Sequence, residues 1–597
     1  MVQGCQSEGN KVGIQAYLLQ NNTPSPCSSL RLRVQLSDSV FSCPATGRHQ
    51  LFPTGLIHTE PLNLLSASTS CVVPMNKTVD EVTIVGGGDV GLLTALSVRQ
   101  MNPDVDVSVV DDFQQAVPQV GKSTYREIQG VLHGALQLDE HEFIAEVKPI
   151  WKASVYFRDW CDCPSFQFPF DAPTKYPDAN TPNAVEHFYH HYDELCDSPD
   201  HRTRGEQILA QGKSPWYYGS DGDLDKYDDV AYHLNTKRFN GFLRKHCRER
   251  GVSLVDDEIT AVETDGSRIN AIQGSQQRYE ADLYVDATGF NRILRSEQDV
   301  EFHDFDFPLD AALNVRIDRS LSDVIPATVV ETGDHGWFWQ IDTYDNRDLG
   351  YVFSTEYTDE ETAMTEFREF VAEVAPGDAG DPLTDAETEV DRYDFESGYH
   401  DRAWVQNCLA IGNAQGFVEP LQSTALTANA SLAVRFANLL SSHGRVIDDA
   451  IRTAFNESVR RAWESIHDFV GVHYEYASGE TPFWQEVQSM DVSPRTDRIA
   501  DEFDRYGYDW TVDHADGGDL SELDIFLLPD FYTVMRNMGA TSEFYDENEF
   551  NVSDEVADER DQFYRSVERQ VENDHLTVKE FYTGILNFTV SEDGVSA

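Results

Sequence analysis

Residues 81–112, EVTIVGGGDVGLLTALSVRQMNPDVDVSVVDD, limit the possible folds more than any other stretch of the 597-residue chain. The apolar run 82–85 predicts a strand, the segment to about Arg99 a helix, and Val105–Val110 a second strand ending in Asp111. Gly86, Gly88 and Gly91 between strand and helix match G-x-G-x-x-G. The first glycine turns the chain, the second lets a pyrophosphate approach the backbone, and the third lets helix and strand pack closely. The helix N-terminus then faces phosphate, and Asp111 is placed to take a ribose hydroxyl. A βαβ unit this complete predicts a parallel sheet flanked by helices and a dinucleotide ligand.

Two later stretches extend the pattern. Residues 236–250 predict a helix and 252–255 a strand, followed by a meander that closes on Asp286-Ala287-Thr288-Gly289. Small residues at that strand end, Gly289 among them, let the chain pass a cofactor, and Asp286 is expected beside its ribitol or pyrophosphate. Further on, NCLAIGNAQGFVEPLQSTALTANASLAVRFANLL combines a strand at 408–411, a turn at Gly412, a proline loop and a helix from about Ser423. Strand, loop and helix N-terminus again make an anion-friendly site. The order of the three elements resembles FAD-binding monooxygenase-type proteins. The resemblance implies an α/β chain with a Rossmann-like FAD-binding fold, a mixed substrate-side sheet and a helical C-terminal region. FAD, not NAD, is then the cofactor, with Gly86, Gly88, Gly91, Asp111, Asp286, Gly289, Gly412 and Ser423 around it.

Composition narrows the partners. The formal net charge is −59, and only 11 of the 45 basic residues are lysines. Such a field repels phosphates, which argues against nucleic acid and anionic membranes as partners. Dense surface carboxylates suit high salt, where the Debye length shrinks to about 3 Å at 1 M. The chain is similar in this to proteins of halophilic archaea, and a salt-rich cytoplasm is the expected home. Residues 1–74 break the pattern, with three acidic residues, four basic ones and four of the nine cysteines. They read as an atypical leader outside the fold, 75–479 as the FAD-binding module, and 480–597 as an acidic, mainly helical region whose charge runs face solvent. Five scattered cysteines after residue 75 read as reduced thiols, and Cys161-Asp-Cys163 is too tight for a structural zinc pair. His187 and His191 have a metal-capable spacing but no third ligand, so no metal is expected.

Four further motifs carry chemistry: VGKSTYREIQGVLHGAL (120–136), FIAEVKPIWKASVYFRDW (143–160), GWFWQID (336–342) and GFVEPLQST (416–424). In order and spacing they resemble the flavin-dependent tryptophan halogenases, from about residue 80 to 485. The resemblance implies that reduced FAD, delivered by a separate flavin reductase, reacts with O2 and chloride or bromide to give hypohalous acid. A lysine at the position of Lys152 then hydrogen-bonds that species, or carries it as a haloamine, toward an electron-rich ring. Burial suits the task because it favours the neutral, nucleophilic amine. Strand alternation alone would instead put Lys152 on a polar face with Ser154, Tyr156 and Arg158, where a lysine is ordinarily solvated.

The same resemblance places Trp337 and Trp339 beside an internal tunnel, halide on the backbone amides of Thr424 and Ala425, and a small aromatic substrate between Phe483 and Trp484. Three positions depart from the family. Ala425 stands for its usual glycine, where a methyl group would crowd the site or demand another backbone angle. Asp342 stands for proline and reads as part of the acidic bias. Gln422 stands for the glutamate that assists the lysine, and glutamine cannot act as a base. An aromatic hydroxylase, a polyprenyl-lipid reductase and a catalytically silent flavin protein are the competing readings. The sequence sets no oligomeric state.

Overall fold

The structure is a computed structural model. It describes residues 78–115, 121–171, 203–375, 383, 389–506, 525–526, 528–543 and 554–586. Residues 1–74, His187, His191 and Cys196 lie outside the described residues.

The βαβ unit forms as its sequence predicts. Strand Glu81–Val85 leads through the glycine turn into helix Asp89–Met101 and on to strand Asp106–Asp111. Leu92, Leu93, Ala95, Leu96 and Val98 are all fully buried. The helix therefore has hardly any polar face and is covered on both sides, one cover being the Ala425–Ser442 helix. These strands lie in a six-stranded sheet whose order is Ser253–Asp256, Asp106–Asp111, Glu81–Val85, Leu283–Asp286, Cys408–Ala410, Trp404–Val405. All its pairings are parallel except the last. Strand ends from all three predicted elements thus meet at one edge of a parallel sheet, where such folds place their ligands.

A second, seven-stranded sheet is mostly antiparallel. Its order is Asp391–Asp394, Ala311–Ile317, Arg347–Phe353, Gly336–Asp342, Ala327–Gly333, Ser154–Arg158, Ser165–Pro169. Only the Ala327–Gly333 and Ser154–Arg158 strands run parallel. The predicted single strand through WKASVYFRDW is in fact two. Ile150–Lys152 pairs with Ala231–Leu234 in a small sheet, and Ser154–Arg158 belongs to the large one. Ala153 makes the transfer, its N–H donating to Pro326 O and its carbonyl accepting from Phe170 N. The regular alternation expected of this stretch stops there, and Lys152 is carried inward.

Asp342 is not a surface acid. It is fully buried, and in register with Arg347 across the Gly336–Asp342/Arg347–Phe353 hairpin. The guanidinium grips it with both Nε (2.8 Å) and Nη2 (3.1 Å), and Ile325 N–H donates to it at 2.8 Å. Acidic bias therefore does not explain this residue; a hairpin-closing ion pair does. Removing one partner of a buried pair leaves the other charge uncompensated. Arg347→Ala is expected to cost about 3 kcal/mol, read as a lowered denaturation midpoint. A smaller effect is expected from Arg319, whose Nε stands 3.6 Å from the same carboxylate.

Described residues after 480 contribute to the main core. Phe483, Trp484, Phe531, Val571, Phe581 and Tyr582 belong to the same buried cluster as Trp151 and Trp337. Strand His575–Thr577 pairs with Lys213–Tyr218, and Tyr582 stacks on Trp151 at 5.6 Å. Among the described residues, no helix is long and apolar enough to cross a membrane.

Candidate active site

At the first glycine turn, Gly86 has φ +105°, and a Cβ on it would lie 2.4 Å from Ala287 O. A Cβ on Gly91 would lie 2.0 Å from Gly86 O, so helix and strand touch backbone to backbone. Beside Gly88 there is open space, and no side chain caps the Asp89–Met101 helix. Its first amides are thus available to a pyrophosphate. Asp111 accepts from Gly87 N–H at 2.8 Å, and burial raises its pKa. The buried acid of the first turn, Asp89, is offset by Lys122 Nζ at 3.6 Å and bonded by Asn240. Gly412 N–H is held by Asn429 Oδ1 at 2.8 Å. This open, uncapped glycine turn with an acid at the next strand end fits an extended dinucleotide.

Asp286 ends the Leu283–Asp286 strand beside this turn. Its carboxylate is fully buried and accepts from Thr288 N and Oγ1 on one oxygen, and from Leu294 N and Arg295 N on the other. It shapes the turn at Gly289 and presents no spare oxygen to a ligand.

The second anion-friendly turn is strained. Gln422 and Ser423 both adopt positive φ, +65° and +58°. Two consecutive non-glycine residues there cost of order 1 kcal/mol each. Thr424 follows at φ −81° as the first residue beside the Ala425–Ser442 helix, which no side chain caps. A left-handed residue followed by a right-handed one turns successive N–H groups into a shallow anion-binding concavity. The amides of Thr424 and Ala425 lie at this place. Ala425 itself is an ordinary helical residue, so its methyl group needs no special backbone angle. The left-handed demand falls on Gln422 and Ser423 instead.

Lys152 is fully buried. Its Nζ donates to Thr124 O at 3.2 Å and lies over the Phe170 ring at 5.2 Å. No carboxylate among the described residues pairs with it, and desolvation alone pushes its pKa well down. His233, near enough to feel its charge, is buried and held neutral, its pKa lowered to about 3 by burial first and Lys152 second. The next residue after Thr124 links this lysine to the anion turn, because Tyr125 N–H donates to Thr427 Oγ1 at 2.9 Å on the first turn of the Ala425–Ser442 helix.

Gln422 is also buried, and its Nε2 lies 2.8 Å from His473 Nε2. His473 Nδ1 donates to Phe469 O at 2.7 Å, which leaves Nε2 as the acceptor and fixes Gln422 as the donor. Burial lowers the His473 pKa to about 4, so the ring is neutral. Gln422 Oε1 is buried without a partner among the described residues. An aromatic belt runs between the two groups: Phe170 touches Tyr125, Tyr125 touches Phe526, Phe526 stacks on Phe469, and Phe469 meets His473.

Trp337 and Trp339 share one strand face, as their spacing predicts, with centroids 6.2 Å apart. Phe338 between them enters a different core. Each indole N–H is tied to a buried carboxyl group. Trp337 donates to Tyr474 Oη (3.0 Å) and to Glu419 Oε2 (3.3 Å), and Trp339 to Asp348 Oδ1 (3.0 Å). Burial raises the pKa of Glu419 to about 7 and of Asp348 to about 6. Phe483 and Trp484 sit on the short helix Pro482–Val487, fully buried and edge to face at 75°. Trp484 donates to Gly333 O at 2.8 Å and meets the Trp160 edge. In this arrangement the pair packs the core, and no planar ring fits between its two faces.

A family model described as tryptophan halogenase matches residues 81–553. The chain belongs to the tryptophan halogenase family. It is accordingly a flavin-dependent, FADH2-using halogenase. It is 26% identical over 461 residues to the 7-chloro-L-tryptophan 6-halogenase KtzR of Kutzneria sp. (strain 744), covering 70% of this chain and 83% of that protein. The tryptophan 7-halogenase RebH of Lentzea aerocolonigenes is 25% identical over 504 residues, covering 79% of this chain and 89% of RebH. Among solved structures, the flavin-dependent halogenase BrvH from Brevundimonas sp. BAL3 superposes with a TM-score of 0.70 at 24% identity, over 85% of this chain and 99% of its own, a likeness of fold. The α/β architecture with a mixed second sheet and a helical C-terminal region is thus the fold of flavin-dependent halogenases.

Several residues of this halogenase escaped the sequence: Thr124, Phe170 and His233 around Lys152, and Glu419, His473 and Tyr474 around Gln422 and Trp337. Glu419 did leave a trace, since it is an acid inside the otherwise apolar run 416–421; Asp348 did not, because it closes the polar stretch Asp345-Asn346-Arg347. Nothing distinguishes His473 before the fold brings it to Gln422.

Proposed function

We propose that this halogenase transfers chloride or bromide to an indole-like, electron-rich aromatic substrate, with Lys152 as the residue that hands over the halogen. The carrying observation is a lysine buried completely beside an aromatic ring, with no carboxylate among the described residues to neutralise it. Such a site costs stability and is retained where a neutral amine has chemical use. Gly86, Gly88, Gly91, Asp111, Gly289, Gly412 and Ser423 would hold FAD, with Asp286 shaping the second turn. FADH2 from a separate reductase supplies, with O2 and halide, the hypohalous acid that Lys152 receives. Thr424 and Ala425 would offer their amides to the halide, where a helix N-terminus favours an anion. Trp337 and Trp339 would wall the path between flavin and lysine, and Phe483 and Trp484 would support the substrate wall from behind.

Gln422 takes the place of the family's glutamate as an oriented amide, donating to His473 and presenting Oε1. It accepts no proton. On the haloamine route, transfer of X⁺ from the protonated haloamine leaves a neutral Lys152 amine, and that amine takes the proton lost by the ring. The halogen, the proton and the charge all balance without a carboxylate base. The acidic surface and scarcity of lysine support a high-salt cytoplasm as the place where this happens. Residues 75–479 are proposed as the catalytic module and 480–597 as the region that completes its substrate side.

The test supplies purified protein at high salt with reduced FAD, O2, chloride or bromide, and a panel of indoles and phenols. A product with the halogen isotope pattern is expected from at least one indole. No halogenated product from any ring would overturn the proposal, and NADPH oxidation without a reductase would point to the hydroxylase.

A further inference from the structure

Cys161 and Cys163 sit in the loop that joins strands Ser154–Arg158 and Ser165–Pro169, closed by Asp159 N–H donating to Pro164 O at 3.1 Å. Their Sγ atoms are 2.8 Å apart. That is longer than the roughly 2.05 Å of a disulfide and inside van der Waals contact of two sulfurs. Both sulfurs also face Asn537 O, at 3.9 and 3.4 Å, across the seam to helix Leu528–Asn537. Cys161 is nearly buried and Cys163 half-buried, so the pair has one side toward solvent. Trp160, immediately before it, donates to His473 O at 2.7 Å, which places the loop one residue's reach from the Gln422–His473 pair. Cys247 and Cys408 offer a contrast. Both are buried, and burial pushes their thiols up, Cys247 to about 12, away from the reactive thiolate.

We propose that Cys161 and Cys163 form a two-electron thiol pair that consumes hypohalous acid escaping from the active site and closes to a disulfide. The inference rests on the halogenase reading for its oxidant. One sulfur attacks the halogen of HOX, forming an S–X bond as the O–X bond breaks and water leaves. The second sulfur then displaces halide and forms the S–S bond. In total, two thiols and HOX give a disulfide, halide, a proton and water: the sulfurs lose two electrons and the halogen gains them. The second step outruns further oxidation because the partner sulfur is already in contact. Reductants that act on exposed disulfides restore the pair.

The experiment has two arms on the full, reduced protein at high salt. In the first, one molar equivalent of reagent hypochlorite is added, remaining thiols are alkylated after unfolding, and the protein is digested for mass spectrometry. The peptide holding Cys161 and Cys163 is expected to be lighter by two hydrogens, unlabelled, and restored by dithiothreitol, while Cys247 and Cys408 take label. Sulfinic or sulfonic acid at 161 or 163, or prior oxidation of Cys247 or Cys408, overturns the proposal. In the second arm, reduced FAD, O2 and bromide turn over without an aromatic substrate and with catalase present. The same disulfide is expected only with halide, and equal disulfide without halide overturns the proposal. A disulfide with hypochlorite but none in turnover supports the thiol pair and counts against the halogenase reading. Cys163→Ser should convert the reversible product at Cys161 into an acid that dithiothreitol does not restore.

Discussion

Lys152→Met is expected to abolish aromatic halogenation, by ~10³-fold or more, while leaving the fold at least as stable as the parent. The two halves have one cause. Lys152 is buried without a counter-charge among the described residues, and desolvation lowers its pKa. A lysine whose folded pKa lies below its unfolded value binds fewer protons in the folded state, so at neutral pH the unfolded chain is favoured. That penalty shrinks only as pH rises toward the lysine's unfolded value. Methionine fills the same space without it, so the denaturation midpoint should hold or rise. Activity falls because the halogen has lost its carrier, not its source. FAD-dependent formation of hypohalous acid should continue in the variant, read as halogenation of a freely diffusing β-diketone in place of the aromatic substrate. Lys152→Arg should fail likewise, since guanidinium does not deprotonate and cannot act as the neutral amine. Full aromatic halogenation by either variant would remove Lys152 from the reaction.

The frame around this lysine was legible because it depends on local patterns. A glycine turn between an apolar strand and helix, Asp111 at the next strand end and the paired tryptophans all follow from periods of 2 and 3.6 residues. What was not legible depends on contacts far apart in sequence. Strand alternation predicted a solvated Lys152, and failed because the chain changes sheets at Ala153. Asp342 looked like one more surface acid until the hairpin register set it against Arg347. Asp286 was expected beside the cofactor, and what the sequence did not show is that the N–H groups of residues eight and nine positions on occupy its carboxylate. The Gln422–His473 bond spans 51 residues and the Lys152–Thr124 bond 28, beyond any helix or strand period.

Glu419→Gln is expected to stabilise the protein at pH 8 and to leave it almost unchanged at pH 5. Glu419 Oε2 accepts from Tyr474 Oη at 2.6 Å and from Trp337, while Oε1 is buried without a partner among the described residues. Burial outweighs those bonds and raises the carboxyl from 4.5 to about 7. Between those values the folded state holds a proton that the unfolded chain has released. The stability this group contributes is therefore full below 4.5, and it is lost as pH rises through about 7. At 1.36 kcal/mol per unit the span amounts to about 3 kcal/mol. Glutamine is neutral throughout, keeps an acceptor for Tyr474 and Trp337, and removes that slope. Other groups titrate nearby: Asp348 is raised to about 6, and His400, His473 and His575 are lowered to about 4. They act equally in parent and variant, so the difference between their unfolding free energies isolates Glu419. Salt screens a fully buried group only weakly, so the effect should persist at high ionic strength. Denaturant unfolding at pH 5, 6, 7 and 8 should show that difference growing with pH by about 2–3 kcal/mol. A difference independent of pH would mean that Glu419 is ionised across the whole range, and that Tyr474 and Trp337 hold a carboxylate and not an acid.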